Sequence, residues 1–435
     1  MRGHSWRLSA NFPANYLRQE TMTSRERWLA AIRHERPDHV PLYCQCFGFT
    51  APPHLRWKQA GREVPHWYSM RHEHIHTWPE PWSVEHDFER VRRWTTLGVD
   101  DVLEVSPPWG MHPDVRIRDW QERPTTSERY SLLCREYETA AGPLRHVIRR
   151  TDEQMEPGWV VQADHVALFE DLNIPRGVRH AVVGPEDLPK LHYLLQDPTP
   201  EQFAAYRERI AKVRRFAQEQ GVLVLGWSGF GMDAMTWLCG VERTVMAAMT
   251  EPEFFEELVD VVSDFDRRRT EMMLEVGGVD VVVQRGWYSS PDFWSPALFQ
   301  QFLTPGIKRL AAITHQAGAI FAYAMTTGAM TMADQLLAAD IDLLLYVDPT
   351  QEKTGLAAIK AKFQGRIAVA GGISSAITLY GGSRQEIRQA VHTAIQELGP
   401  SGFILAPVSS LSPDIPWPNV EAMIDAWREV RDIEG

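Results

Sequence analysis

The chain is short of cysteine, has no long apolar run and carries no surplus of positive charge. Each shortage removes a class of protein. Four cysteines in 435 residues, Cys44, Cys46, Cys134 and Cys239, are too few and too scattered for a disulfide framework, so reduced thiols in a cytoplasmic protein are the expectation. No apolar stretch approaches the ~20 residues that span a bilayer, so no membrane partner is expected. Residues 1–21 hold basic side chains but no apolar central block. They do not read as a signal peptide, and a disordered extension is expected there, ahead of a regular segment that begins at Met22. A net charge of −12 and a pI near 5.8 argue against an extended nucleic-acid surface, while leaving room for a local cationic pocket. The chain also lacks a Ser-His-Asp order, a P-loop, a dinucleotide fingerprint, internal repeats and low-complexity linkers.

What is present is a strand–helix alternation, clearest over residues 279–319. Val279 to Val283 is a short β-branched run of the kind buried on both faces in a parallel sheet. Gln284 and Arg285 end it, aromatics and serines follow, and Ser295-Pro296 reads as an N-cap with proline at the first helical position. Pro305 disfavours a helical Thr304 and predicts a break there. Comparable runs fall at 40–46, 100–105, 222–228, 319–323, 341–347, 366–371 and 402–407, which makes eight with 279–285. Helical patterns separate most of them, and Thr23-Ser24-Arg25-Glu26 caps one more before the first run. The expected fold is α/β, a (β/α)8 TIM barrel in one domain over residues 22–435. Between its second and third strands lies an inserted hairpin and helical region, read from 130–150 and 184–221.

Barrel chemistry sits at the carboxyl ends of the strands. That rule selects Cys46, Asp101, Glu104, Ser228, Gln284, Arg285, Tyr323, Asp348, Gly371, Gly372 and Ser409. Asp101 and Glu104 have opposite parity, so one of them enters the barrel. Arg285 is suited to clamp a carboxylate. Trp287 and Tyr288 suggest a flat, apolar mouth. Cys44 and Cys46 share a strand face but lack the further ligands of a metal site. His66, His72, His74 and His76 crowd an aromatic stretch that reads as a solvated loop or lid. The last three are the alternative metal ligands, on one face of an extended segment.

These residues carry a resemblance. From about Met22 to the C-terminus the chain resembles the uroporphyrinogen decarboxylase superfamily, which also holds corrinoid-linked methyltransferases. Four stretches carry it: MTSRERWLAAIRHERPDHVPLY; Gly226-Trp227-Ser228-Gly229 with Thr236; Ser295-Pro296 with Phe299, Phe302 and Pro305; and Ser412-Pro413-Asp414-Ile415-Pro416 with Asn419-Val420. The resemblance implies that Asp101, in Asp-Val-Leu-Glu-Val with Gly110-Met111 following, is the catalytic aspartate. There it would stabilise cationic charge on a protonated ring. It places Gln59-Ala60-Gly61-Arg62 as a look-alike of the substrate motif, with Arg62 on a substrate carboxylate, and maps Ser289 to a serine of the fourth-strand loop. Trp237 and Ser409 stand where the decarboxylases have tyrosine and histidine. In the methyltransferases the resemblance implies zinc held by His-x-Cys after the fifth strand and a cysteine near the last. This chain has Tyr323-Ala324-Met325 and Ser409-Ser410 at those places.

The expectation from sequence is a cytoplasmic homodimeric carboxy-lyase without metal or cofactor, acting on an anionic pyrrolic or aromatic small molecule. In it Asp101, Ser289 and Tyr323 are catalytic. Arg62, Glu104, Trp237, Gln284, Arg285, Trp287, Tyr288 and Ser409 bind substrate. The alternatives are a corrinoid- or folate-linked methyltransferase or O-demethylase of the same superfamily, with a corrinoid protein as its possible partner, and a ligand-binding barrel without turnover.

Overall fold

The structure is a computed structural model that describes residues 22–69, 83–151, 164–352 and 354–432. Seven parallel strands form one sheet, in sequence order around it: β1 (Leu103–Val105), β2 (Val224–Gly229), β3 (Val281–Arg285), β4 (Ile320–Ala324), β5 (Leu343–Val347), β6 (Ala368–Ser374) and β7 (Phe403–Val408). Residues 40–46 lie between its two edges. Tyr43 N–H donates to Leu405 O (2.9 Å) and Asp100 N–H donates to Leu42 O (2.7 Å), with a parallel bridge between Leu42 and Leu405. The expected eight-stranded closure is therefore made, the first segment contributing bridges rather than a full ladder.

Alternation along each strand builds the interior. Val102, Leu225, Trp227, Val281, Val283, Ala322, Ala324, Leu343, Leu345, Ala370, Ile404 and Ala406 form one buried cluster, as closely packed inward layers require. The helix Ser24–Ile32 plugs its amino-terminal end with Trp28, Leu29 and Ile32. A capping box holds that helix: Thr23 Oγ1 accepts from Glu26 N–H while Glu26 accepts from Thr23 N–H (2.8 Å). Trp28 Nε1–H donates to Asp100 O (2.9 Å) and fixes the plug against the strand entry. Complete burial of a side chain such as Leu225 or Val283 stabilises the barrel by about 1.5–3 kcal/mol each.

Outside the repeat, the expected hairpin is the centre of a four-stranded antiparallel sheet. Arg116–Glu122 pairs Leu132–Thr139, which pairs Gly142–Arg149, which pairs Gly177–Arg179. The helix Pro200–Gln220 follows, capped by Thr199 and stopped by Gly221 in the left-handed region (φ 63°).

Two sequence expectations need correction. The second strand begins at Leu103, so Asp100 and Asp101 precede it. Thr304 is helical (φ −51°, ψ −41°) despite the following proline. The irregularity falls instead on a π-helical turn at Phe299–Leu303, after which Pro305 opens a fresh helix, Thr304–Gln316, where its missing N–H is tolerated.

Candidate functional site

At the carboxyl mouth, inward parity delivers a specific set of side chains. Glu104 faces the interior, where its Oε1 accepts from Tyr43 O–H (2.6 Å) and from Gln45 Nε2–H (3.3 Å). Trp227, Trp287 and Tyr346 stack in series, with ring centroids 5.7 and 5.6 Å apart. Tyr346 lies on the outward parity of β5 but joins the interior, because the strand bulges there. Its φ is +72°, and the ladder to β6 shifts between Leu345 and Val347. Gly371 makes this possible. At its φ of +152° a Cβ would stand 2.3 Å from Val347 O.

Arg285 ends β3 on the inward face and is buried. Its guanidinium carbon lies 4.6 Å from the ring centroids of both Trp237 and Trp287. Nε–H donates to Asp233 Oδ2 (3.0 Å) and Nη2–H to Asp171 Oδ2 (3.4 Å). Asp233 comes from the first turn of the helix Gly231–Cys239 and also accepts from Tyr288 N–H (3.1 Å). Burial pushes its carboxyl up to about 6, against the pull of Arg285. Asp171 accepts from Trp237 Nε1–H (2.7 Å) and Tyr288 O–H (3.2 Å). Its neighbour Glu170 accepts from Leu172 N–H (3.3 Å). Burial first, and the charge of Asp171 second, push the Glu170 carboxyl up to about 7. A cavity of about 300 Å³ opens onto this cluster, walled by Gln45, Phe47, Glu170, Asp171, Arg285, Trp287, Tyr288 and Ser409. It holds an acid poised near neutrality, a paired guanidinium and aromatic walls in one space.

Of the residues singled out from sequence, Arg285, Trp287, Tyr288 and Ser409 line that cavity. Trp237 covers one face of Arg285, and Glu104 lies beneath Gln45. The others stand elsewhere. Gln284 has outward parity and packs against the glycine turn, 2.8 Å from where a Cβ on Gly229 would lie. Tyr323 also points outward; its hydroxyl donates to Ser289 Oγ (2.7 Å), which donates to Gly286 O (2.5 Å). Burial pushes that phenol well up. Asp101 precedes β1, and its Oδ2 accepts from Arg90 Nε–H (2.9 Å). Arg90 also donates to Asp87 Oδ1 (2.9 Å) and Val102 O (2.8 Å). Arg62 sits on the exposed strand Arg62–Val64, opposite Gln59.

Cys44 and Cys46 are buried, which pushes both thiols up, and His66 pairs across strands with Thr50. His72, His74 and His76 lie outside the described residues. Among the described residues no group of three or more His, Cys, Asp or Glu side chains could hold a metal ion. Likewise, no helix among them is long and apolar enough to cross a membrane. Sequence reasoning missed Gln45, Glu170, Asp171, Asp233 and Tyr346. Only Asp233, four residues past the glycine turn of β2, carried a positional signal.

The family profile for uroporphyrinogen decarboxylase (URO-D) matches residues 168–430, more than half of the chain. The chain belongs to that family. The matched region starts within the antiparallel insert, after the strand Gly142–Arg149, so it is narrower than the resemblance drawn from sequence and leaves out Asp101 and Glu104. Methylcobamide:CoM methyltransferase MtaA of Methanosarcina barkeri strain Fusaro is 27% identical over 197 residues, 43% of this chain and 53% of that protein. A second MtaA from Methanosarcina barkeri is 26% identical over 192 residues, with the same coverage of 43% and 53%. The chain thus spans about half the length of these relatives. A solved methyltransferase from Methanosarcina mazei superposes with a TM-score of 0.54 at 16% identity, covering 94% of this chain and 99% of that one. That likeness shows the fold alone.

Proposed function

We propose that this member of the uroporphyrinogen decarboxylase family is a methyl-group transferase that takes a small methylated donor at the barrel mouth. One observation carries the reading. Arg285, the one guanidinium lining the cavity among the described residues, is engaged by Asp233 and Asp171 (3.0 and 3.4 Å), and Arg62 is exposed and does not line it. A lyase acting on a carboxylate-rich ring needs spare cations to hold and orient its substrate. This mouth instead sets carboxyls around its guanidinium. Expected anionic selectivity therefore gives way to the methyl-transfer reading, which the sequence relatives also favour.

The zinc that the resemblance implies for such methyltransferases does not fit the residues at its expected places. Tyr323 turns outward onto Ser289. Ala324 and Met325 offer no imidazole or thiolate, and Ser409 and Ser410 stand in the second place. The contribution of this chain is positional. Trp287 walls the cavity, and Trp227 and Tyr346, stacked on it and fully buried, hold it in place. Asp171 locks Tyr288, Trp237 and Arg285 together, and Glu170 supplies an adjustable charge at the rim.

The test is a methyl-transfer assay with a reduced corrinoid as acceptor, against a panel of methylated amines, sulfonium compounds and ethers. Donor-dependent methylation of the corrinoid is the expected result. Release of CO₂ from uroporphyrinogen or a carboxylated aromatic, with no methyl transfer, would overturn the reading.

A further inference from the structure

The charge balance of the mouth says more about the donor. Four carboxyls meet around the cavity: Glu170 and Asp171 on its wall, Asp233 behind Arg285, and Glu104 beneath Gln45. The charged groups facing Glu170 are Asp171, Arg285 and Arg176. Arg176 also donates to Leu172 O (3.0 Å) and Asn173 Oδ1 (3.0 Å). Among the described residues, two guanidiniums against four carboxyls leave the site able to accept positive charge and set against negative charge. Phe47, Trp287 and Tyr288 supply the aromatic wall on which organic cations rest.

Resting on the methyl-transfer reading above, we propose that the mouth binds an onium methyl donor, a methylated ammonium or sulfonium cation, with Glu170 as its counter-charge. The chemistry suits a site that holds no Lewis-acid ligand set among the described residues. The N–CH₃ or S–CH₃ bond breaks, the heteroatom keeps the bonding pair and becomes neutral, and the methyl group bonds to the electron pair of a nucleophilic acceptor such as a reduced corrinoid. No proton has to reach the leaving group, so no general acid is required. The carboxyl of Glu170, pushed up to about 7 by burial and by Asp171, then has a simple consequence. A cation arriving beside it favours the carboxylate, so binding expels a proton.

Calorimetry on the full chain tests this with choline and its uncharged carbon isostere, 3,3-dimethylbutan-1-ol, in buffers of different ionisation enthalpy. Choline should bind about tenfold tighter than the isostere. It should release about half a proton at pH about 6.5 and gain severalfold in affinity between about pH 6 and 8, as expected for a one-unit fall in a carboxyl pKa. Glu170→Gln should abolish the proton release and most of the preference, at unchanged melting temperature. Equal binding of the isostere, no choline binding in the millimolar range, or undiminished preference in Glu170→Gln would each overturn the proposal. Methylation of corrinoid from ethers without choline binding would sink the onium inference and leave methyl transfer standing. Choline binding with no donor able to methylate any acceptor would uphold the onium site and sink the transferase.

Discussion

Replacing Arg285 by methionine separates charge from packing at the mouth, because its main partner can escape by protonation. Breaking a buried ion pair ordinarily costs about 3–5 kcal/mol through the charge left behind. Asp233 is already pushed up to about 6 with Arg285 in place. Holding it protonated at pH about 7.5 therefore costs at most about 1.36 × 1.5, or about 2 kcal/mol, and less once the guanidinium no longer pulls the other way. The two indole faces that sandwich the guanidinium at 4.6 Å are each worth about 0.5–2 kcal/mol. A methionine sulfur restores roughly half of that. Arg285→Met should therefore destabilise by about 3 kcal/mol at pH about 7.5. At pH about 5.5 the loss should fall to about 1 kcal/mol, since Asp233 is then mostly protonated in the parent as well. Urea denaturation at the two pH values, read as midpoint shifts at constant slope, measures the difference. A loss that is the same at both values within about 0.5 kcal/mol would refute the reasoning. It would mean that Arg285 acts by packing alone and that Asp233 does not titrate in this range.

Asp101→Asn should weaken the fold by about 2–3 kcal/mol through its lost pairing with Arg90, while leaving turnover per folded molecule unchanged. A fall in kcat at unchanged stability would return Asp101 to the catalytic role its sequence context implies. Gly371→Ala should destabilise by about 3 kcal/mol, because its Cβ would meet Val347 O at 2.3 Å where φ is +152°. Near-ultraviolet circular dichroism should report the disturbed Trp227–Trp287–Tyr346 stack, and an unchanged spectrum and melting temperature would contradict this. His146 is fully buried, and burial lowers its imidazole to about 3. The unfolded chain thus binds more protons between about pH 6.5 and 3, and stability falls on acidification through that window by up to about 1.4 kcal/mol per unit. His146→Gln should flatten that limb of an acid titration, and an unaltered limb would show that other groups set it.

The barrel was legible because its signals are local. Buried β-branched runs such as Val281-Val282-Val283 and capping boxes such as Thr23 with Glu26 are written in consecutive residues. The mouth was only half legible, because strand ends were read without fixing their parity. Counting alternation inward from Val281 and Val283 reaches Arg285 and excludes Gln284. Counting from Ala322 and Ala324 excludes Tyr323. Both counts need only the sequence, once the inward set is known. The same count fails at Tyr346, where a bulge licensed by a glycine on the neighbouring strand reverses the faces. It has nothing to say about Glu170 and Asp171. These lie in a stretch without periodicity, between the last two strands of the antiparallel insert, and Asp171 reaches Arg285 across 114 residues of chain. What decided the charge of the mouth was thus the part that no local pattern records. An arginine at a strand end reads as a ligand for an anionic substrate until the carboxylates folded onto it are seen, and then it reads as the centre of an acidic site.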